Sequence, residues 1–268
     1  MIETFAPAWL ELREPADHGA RATQALDPLR RWWDARDATS VLDLGCGTGS
    51  NLRYLSPKLT GPQRWTMVDH DAGLLGRIAS PAPGVGVSLV QGDLSDVGLT
   101  EVGRHDLVTA SALLDLVSAS WLDAIVVACA ERGCAALFAL TYDGTVGWPG
   151  DADPLDAAVN DAVNEHQRRD KGLGPALGPD AARVAAARFQ ERGFRVELFA
   201  SPWRLTTRDA PLARALIDGW ARAAAEIRPK DARTFREWAD RRGRAAEDPG
   251  FALVVGHLDL LALPVGSI

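Results

Sequence analysis

Three acidic side chains stand at or near the ends of short apolar runs: Asp43 within Ser40-Val-Leu-Asp-Leu44, Asp69 after Trp65-Thr-Met-Val68, and Asp93 after Gly86-Val-Ser-Leu-Val90 and Gln91-Gly92. A carboxylate accepts hydrogen bonds from two neighbouring hydroxyls and can face a cationic ligand. Between the first two acids lies Gly45-Cys46-Gly47-Thr48-Gly49, with glycine at alternate positions. Such a turn brings backbone close to a ligand with no side chain in the way. Read as Gly45-x-Gly47-x-x-Ser50 it also approaches the dinucleotide fingerprint, lacking only the third small Gly or Ala. Taken singly, Asp69 and Asp93 equally suit the capping of helices and turns.

A second set of residues could meet a reacting partner. His166 titrates near neutrality and is the first candidate for a general base, with a structural histidine as the alternative. Tyr142 and Asp143 end an apolar run and could hold an acceptor, or be a core tyrosine beside a turn aspartate. Two segments are dense in directional polar groups: Trp9-Leu-Glu-Leu-Arg13-Glu-Pro-Ala-Asp17 and Asn164-Glu-His166-Gln167-Arg-Arg-Asp-Lys171-Gly-Leu-Gly174. Arg13 could clamp an anion or simply pair with Glu11 or Asp17. Trp148 and Trp203 could form an aromatic lid or pack in the interior. Asp115 joins the acceptor candidates, together with Asn164, Gln167 and Lys171. Asp115, Asp143 and Asp151 are available to a divalent ion but follow no recognisable ligand spacing, and Cys46, Cys129 and Cys134 lack the pairing of a zinc site. No metal is expected.

Positioning these groups requires alternating elements. The spacing of Ala20, Ala25, Leu26, Leu29, Trp32 and Trp33 predicts a helix over Pro15 to Asp37, and strands follow at 40–44, 65–68, 86–90, 106–110 and 135–142. Helices are predicted from 51 and over 121–132, so strand and helix alternate across 40–142, the pattern of a parallel doubly wound sheet. Residues 144–179, rich in Gly, Pro, Asp and Asn, read as an insertion enclosing a helix at 153–169. A helix at 180–192, a strand at 194–200, helical segments over 212–247 and a strand at 251–263 complete the chain. In an open sheet of this kind ligands lie beyond the carboxyl ends of the strands.

Val41-Leu-Asp-Leu-Gly-Cys-Gly-Thr-Gly49 resembles motif I of class I S-adenosylmethionine-dependent methyltransferases, and Val68-Asp-His-Asp71 and Gln91-Gly-Asp-Leu-Ser-Asp96 lie at family-like distances after it. The resemblance covers about residues 38–142. It implies a Rossmann-like seven-stranded sheet, mostly parallel with an antiparallel last strand, and helical insertions after strand five and before the last strand. It also implies that Asp69 holds the ribose hydroxyls of S-adenosylmethionine, that Asp93 and the Leu94 backbone meet the adenine, and that the turn from Gly45 to Gly49 lines the methionine part. Asp43, Cys46, Asn51, His70, Ala110 and Ser111 complete the expected cofactor set. The chain lacks the Asn- or Asp-Pro-Pro-aromatic motif of DNA and protein-amide methyltransferases, reading Thr109-Ala-Ser-Ala-Leu-Leu-Asp115 instead.

Composition narrows the partners. With 268 residues, 47% of them hydrophobic, the chain suits one α/β domain: a core at 38–142, capping segments at 1–37 and 143–179, and a helical insertion at 208–248. The net charge of -7 repels polynucleotide phosphates, and the arginines of 228–244 are interleaved with acids, as on a solvated helix. The expected partner is a small-molecule methyl acceptor, taken at oxygen or nitrogen, with an RNA substrate or a non-catalytic binding module as alternatives. No apolar run reaches the roughly 20 residues of a membrane span, and the first residues lack the pattern of a secretory signal. A cytoplasmic monomer or homodimer is expected.

Overall fold

The computed structural model describes residues 5–79, 83–150 and 152–265; Asp151 lies outside them. Helices α1 (Pro7–Ala20) and α2 (Leu26–Ala35) precede strand β1 (Ser40–Leu44) and helix α3 (Ser50–Leu55). Then come β2 (Gln63–Asp69), α4 (Ala72–Leu75), β3 (Val85–Gln91), α5 (Leu99–Val102), β4 (Leu107–Ser111), α6 (Ala119–Arg132) and β5 (Ala135–Gly147). The remainder is α7 (Asp156–Gln167), α8 (Ala181–Glu191), β6 (Phe194–Ala200), β7 (Trp203–Thr206), α9 (Ala210–Ile227), α10 (Ala232–Ala245) and β8 (Ala252–Pro264).

The sheet runs β3-β2-β1-β4-β5-β8-β6, with β7 also on β8. Strands β1 to β5 are mutually parallel, and β8 is antiparallel to β5, β6 and β7. The chain order reverses beside β1, so a crevice opens beyond the carboxyl ends of β1 and β4. Burial follows this layering. Every residue of β1 is buried, because helices cover both faces of the sheet. One layer packs Trp121, Ile125 and Phe189 of α6 and α8 on Phe138 and Leu260, and the other packs Leu29, Trp33 and Leu55 on Val41, Trp65 and Leu137.

One expectation about elements needs correction. The predicted helix over Pro15 to Asp37 is two helices, because Arg21 turns to extended backbone (ψ 131°) and its side chain leaves the α1 stripe for the interior. There Arg21 Nη1 donates to Asn51 at 2.9 Å, Arg21 Nε lies 3.5 Å from Asp259, and the Ala22 amide donates to Asp259 at 2.9 Å. The expected seven-stranded, mostly parallel sheet is present and gains a short extra strand: β6 pairs with the second half of β8, the chain breaks at Ser201-Pro202, and β7 takes up the first half. Proline cannot donate to a ladder and marks that break.

Beyond β5, helices α7, α9 and α10 form a cap with its own core of Val159, Ile217, Phe235 and Trp238. Trp148 packs edge-on against Trp220, Trp238 and Phe251, and so belongs to this core rather than to a lid. Two arginines of the basic stretch are consumed here, Arg242 by Asp156 and Arg241 by Asp153. Among the described residues no helix is long and apolar enough to cross a membrane.

Candidate active site

Beyond the ends of β1, β2 and β4 lies a cleft whose floor is the glycine turn. Gly45 (φ 62°) and Gly47 (φ 54°) adopt left-handed backbone that other residues enter at a cost. A Cβ on Gly45 would stand 3.2 Å from Leu113, and one on Gly47 3.2 Å from Leu10. The turn is tied to the next strand, since the Cys46 amide donates to the Val68 carbonyl (3.1 Å) and the Gly47 amide to Asp69 Oδ2 (2.8 Å).

Asp43 sits under the turn with no solvent exposure. Its Oδ1 accepts from Asn51 Nδ2 at 2.8 Å, while Oδ2 is sealed without a partner. Burial pushes its pKa from 3.8 up to about 7, against the Asn51 bond and the Arg21 charge, which pull it down. Asn51 is spent on this arrangement: its amide also donates to Thr109 (3.0 Å) and its oxygen accepts from Arg21 (2.9 Å). Asp69, 5% exposed, takes the Gly47 amide on Oδ2 and the Asp71 amide on Oδ1 at 3.0 Å. His70 lines the cleft beside it, with Nδ1 3.4 Å from Asp69 Oδ1 and a sealed Nε2 without a partner. Cys46 lines the cleft too, its thiol pushed well above the usual range by burial.

Not every expected cofactor residue reaches the cleft. Leu94 and Ser111 line it, but Asp93 does not; Asp93 Oδ1 accepts from the Ser95 amide (2.7 Å) and hydroxyl (2.6 Å), bonds that lower its pKa. The capping alternative describes Asp93 as it stands. Ala110 is buried in β4 behind the cleft, and Gly49 caps α3.

A second chamber of about 160 Å³ adjoins the first, and Phe5, Arg13, Ala112 and Leu116 border both. Its walls are aromatic: Trp9 from α1, Tyr142 from β5, Trp203 from β7 and Trp220 from α9, with Asp115, Gln167 and His257 among them. Arg13 lies 5.0 Å from the Trp203 ring and 6.0 Å from the Trp9 ring, held by Asp17 through Nε (2.9 Å) and Nη2 (3.2 Å). Asp17 also accepts from Trp203 Nε1 at 3.1 Å, which fixes α1 on the sheet. Ala112 (φ 53°) and Leu140 (φ 54°) line this chamber in left-handed backbone. Their conformation is retained because the Ala112 amide donates to the Ala139 carbonyl and the Leu140 amide to buried Asp259 at 2.8 Å.

The acceptor candidates divide. Arg13, Asp115, Tyr142 and Gln167 line the second chamber, and Lys171 lines the first. Burial and the nearby Asp143 and Asp115 raise the Tyr142 pKa, so its hydroxyl keeps its proton and donates to Asn160 (3.2 Å). Tyr142 is therefore a wall rather than a base. His166 is in neither cavity; it pairs with the exposed Glu226 (3.1 Å) across α7 and α9. Asp143 accepts from the Thr145 amide and hydroxyl, and Asn164 donates to the Gly144 carbonyl (3.0 Å), so both hold the bulged end of β5. The residue that sequence reading missed is His257, whose one trace is a polar interruption in the apolar run of β8.

Residues 41–132 match a family model described as a methyltransferase domain. No curated protein sequence matches the chain. Among solved structures, the YcgJ protein of Bacillus subtilis is 15% identical and covers 91% of this chain and 100% of its own, with a TM-score of 0.49. A methyltransferase of Geobacter sulfurreducens in complex with S-adenosyl-L-homocysteine is 17% identical over 97% of this chain and 99% of its own (TM-score 0.43). A putative type II methyltransferase of Anaeromyxobacter dehalogenans is 18% identical over 88% and 96% (TM-score 0.48). The glycine turn, Asp43, Asp69 and strands β2, β3 and β4 lie within the matched segment, and over residues 41–132 this chain is similar to a methyltransferase domain.

Proposed function

We propose that the protein transfers a methyl group from S-adenosylmethionine to oxygen or nitrogen of a small-molecule acceptor. The residues of the cleft suit that cofactor. Asp69 has spent one bond on each oxygen and keeps further lone pairs for two ribose hydroxyls. Asp43 is buried beneath the turn and braces the floor of the cleft through Asn51, and the Gly45 to Gly47 backbone leaves a cradle that a Cβ would fill. When bound, the cofactor supplies an electrophilic methyl group on a positively charged sulfur. What the protein must add is alignment and the exclusion of water.

The observation that carries this reading is the junction of the two cavities at Arg13, Ala112 and Leu116. A nucleophile seated in the aromatic chamber would face the cleft through that junction. The size of the chamber favours a small acceptor over a polynucleotide, and Arg241 and Arg242 are engaged by acids within the cap. Helical cap and cofactor core act as one unit, in a cytoplasmic monomer or homodimer; three cysteines without disulfides suit that compartment.

Calorimetric titration with S-adenosylmethionine tests the reading. Micromolar binding, lost in Asp69→Ala, is the expected result; no heat at millimolar cofactor sinks it. Salt-sensitive binding of RNA would instead move the acceptor to a polynucleotide.

A further inference from the structure

We propose that the outer edge of β6 is a contact surface between two copies of this chain, which join as an antiparallel pair of β6 strands about a two-fold axis through Val196. This edge lies outside both cavities and is independent of the methyltransferase reading.

Strand β6 ends the sheet. It pairs with β8 along one side, in unbroken register from Phe194 to Ala200. Among the described residues, no hydrogen bond joins its backbone to anything but β8, so its outward amides and carbonyls form an open ladder edge. Proline, a bulge or a very short strand would blunt such an edge, and β6 has none of these. Three large hydrophobic side chains are exposed among the described residues, and two of them are here. Leu198 (38% exposed) lies in the strand, and Val265 (71%) follows Pro264, the β8 residue opposite Phe194.

The alternation of side chains sets what a second copy would meet. Phe194 and Val196 pack on the α8 side of the sheet, while Arg195 borders Trp32 on the α2 side. By the same period Glu197 shares the face of Arg195, and Leu198 that of Val196. Residues directly opposite in an antiparallel pair lie on one face and interact. With the axis at Val196, Arg195 stands opposite the partner's Glu197, Glu197 opposite the partner's Arg195, and Leu198 opposite the partner's Phe194. An axis at Arg195 or at Glu197 would set like charges face to face, and an axis at Leu198 would leave both charges unmatched. Within one chain the two are only 4.0 Å apart and remain 61% and 45% exposed, so each is available to a better-placed opposite charge. The other edge of the sheet, β3, reads Val85-Gly-Val-Ser-Leu-Val-Gln91 and carries no charge to fix a register.

Pairing at this edge keeps clear of the cleft, because β6 stands four strand spacings from β1, roughly 19 Å. An axis normal to the sheet places the α2 layers of both copies on one face and the α8 layers on the other. A seven-residue edge with its flanking side chains buries less than about 1,200 Å², the range of weak association, so a dimer dissociating at about 10–100 µM is expected.

Sedimentation equilibrium of the full chain from about 1 to 300 µM tests the surface, and a reversible monomer–dimer equilibrium is the expected result. Arg195→Glu and Glu197→Arg each set like charges across the axis, and each should weaken the dimer about tenfold or more. An equimolar mixture of these two variants has opposite charges at both cross-strand pairs, so it should form a heterodimer within about threefold of wild-type affinity. The double exchange Arg195→Glu with Glu197→Arg should restore the homodimer in the same way, and it keeps the test intact should either single variant fail to fold. Leu89→Lys, on β3, should leave the equilibrium unchanged. A protein that stays monomeric over the whole range overturns the proposal. So does a dimer that the folded single variants leave intact, or one that neither their mixture nor the double exchange restores. Loss of the dimer in Leu89→Lys but not in Glu197→Arg also overturns it and moves the contact to β3.

Discussion

Replacing Asp69 by asparagine tests whether one carboxylate both shapes the glycine turn and holds the cofactor. Its oxygens accept from the Gly47 amide at 2.8 Å and the Asp71 amide at 3.0 Å, one each. An asparagine side chain fits the same space but keeps a single acceptor oxygen. Whichever way it turns, its NH2 faces an amide N–H, so one bond to a charged acceptor is lost. Such bonds are worth about 1.5–3 kcal/mol, and that is the expected loss of stability in urea unfolding. On the ligand side the same change removes one of the two charge-assisted bonds available to the ribose. A further loss of about 1.5–3 kcal/mol corresponds to roughly 10- to 150-fold weaker S-adenosylmethionine binding by calorimetry. Asp93→Asn provides the contrast, because its Oδ1 is engaged by Ser95 outside the cleft; its effect on affinity should be several-fold smaller. An Asp69→Asn protein that folds and binds the cofactor within threefold of wild type would refute the reasoning.

Gly47→Ala forces a side chain onto backbone at φ 54° and against Leu10, so it should cost about 1–2 kcal/mol of stability and weaken cofactor binding, as read by thermal shift and calorimetry. Asp259→Ala removes the acceptor for the Leu140 and Ala22 amides and the Ser201 hydroxyl and leaves Arg21 without its buried carboxylate; chemical denaturation should show a loss of about 3–5 kcal/mol. His166→Ala should leave turnover and cofactor affinity within twofold, since the ring lies outside both cavities between the exposed Glu226 and Lys171, which it meets at 3.4 Å; a tenfold fall in kcat would reinstate His166 as the base. Asp43 binds its proton more tightly folded (about 7) than at its ordinary value of 3.8, so its contribution to stability is complete below about pH 4 and is lost as pH rises through 7. Relative to Asp43→Asn, the wild-type unfolding free energy should therefore fall by up to about 1.4 kcal/mol per unit across that window, and a difference independent of pH would contradict the buried acid.

The cofactor half of the molecule was legible in residue order because its determinants are local. Short apolar runs bounded by turn residues fit buried strands, glycine at alternate positions permits a turn that other residues resist, and an acid at the end of a strand lies at the sheet edge wherever the rest of the chain goes. Asp43, Gly45, Gly47 and Asp69 needed nothing more. Arg21 shows where this logic stops: helical spacing carried the predicted helix through it, but its pairing with Asn51 of α3 and Asp259 of β8 depends on elements 30 and 238 positions away, and the helix ends there. Asp93, His166, Asp143 and Asn164 were chemically plausible by type, and only the positions of Ser95, Glu226, Thr145 and Gly144 decided that they hold the protein's own structure.

Arg13, Asp115, Tyr142 and Gln167 of the second chamber were candidates by residue type, but their meeting was a tertiary decision. Trp9, Asp115, Tyr142, Trp203, Trp220 and His257 have no common spacing and converge because β8 reverses against β5 while α1 and α9 close over the junction. Sequence by itself determined where the backbone must turn and which acids stand at strand ends. Which side chains stay unpaired and face empty space depends on distant partners, and only the packed sheet and its cap decided that.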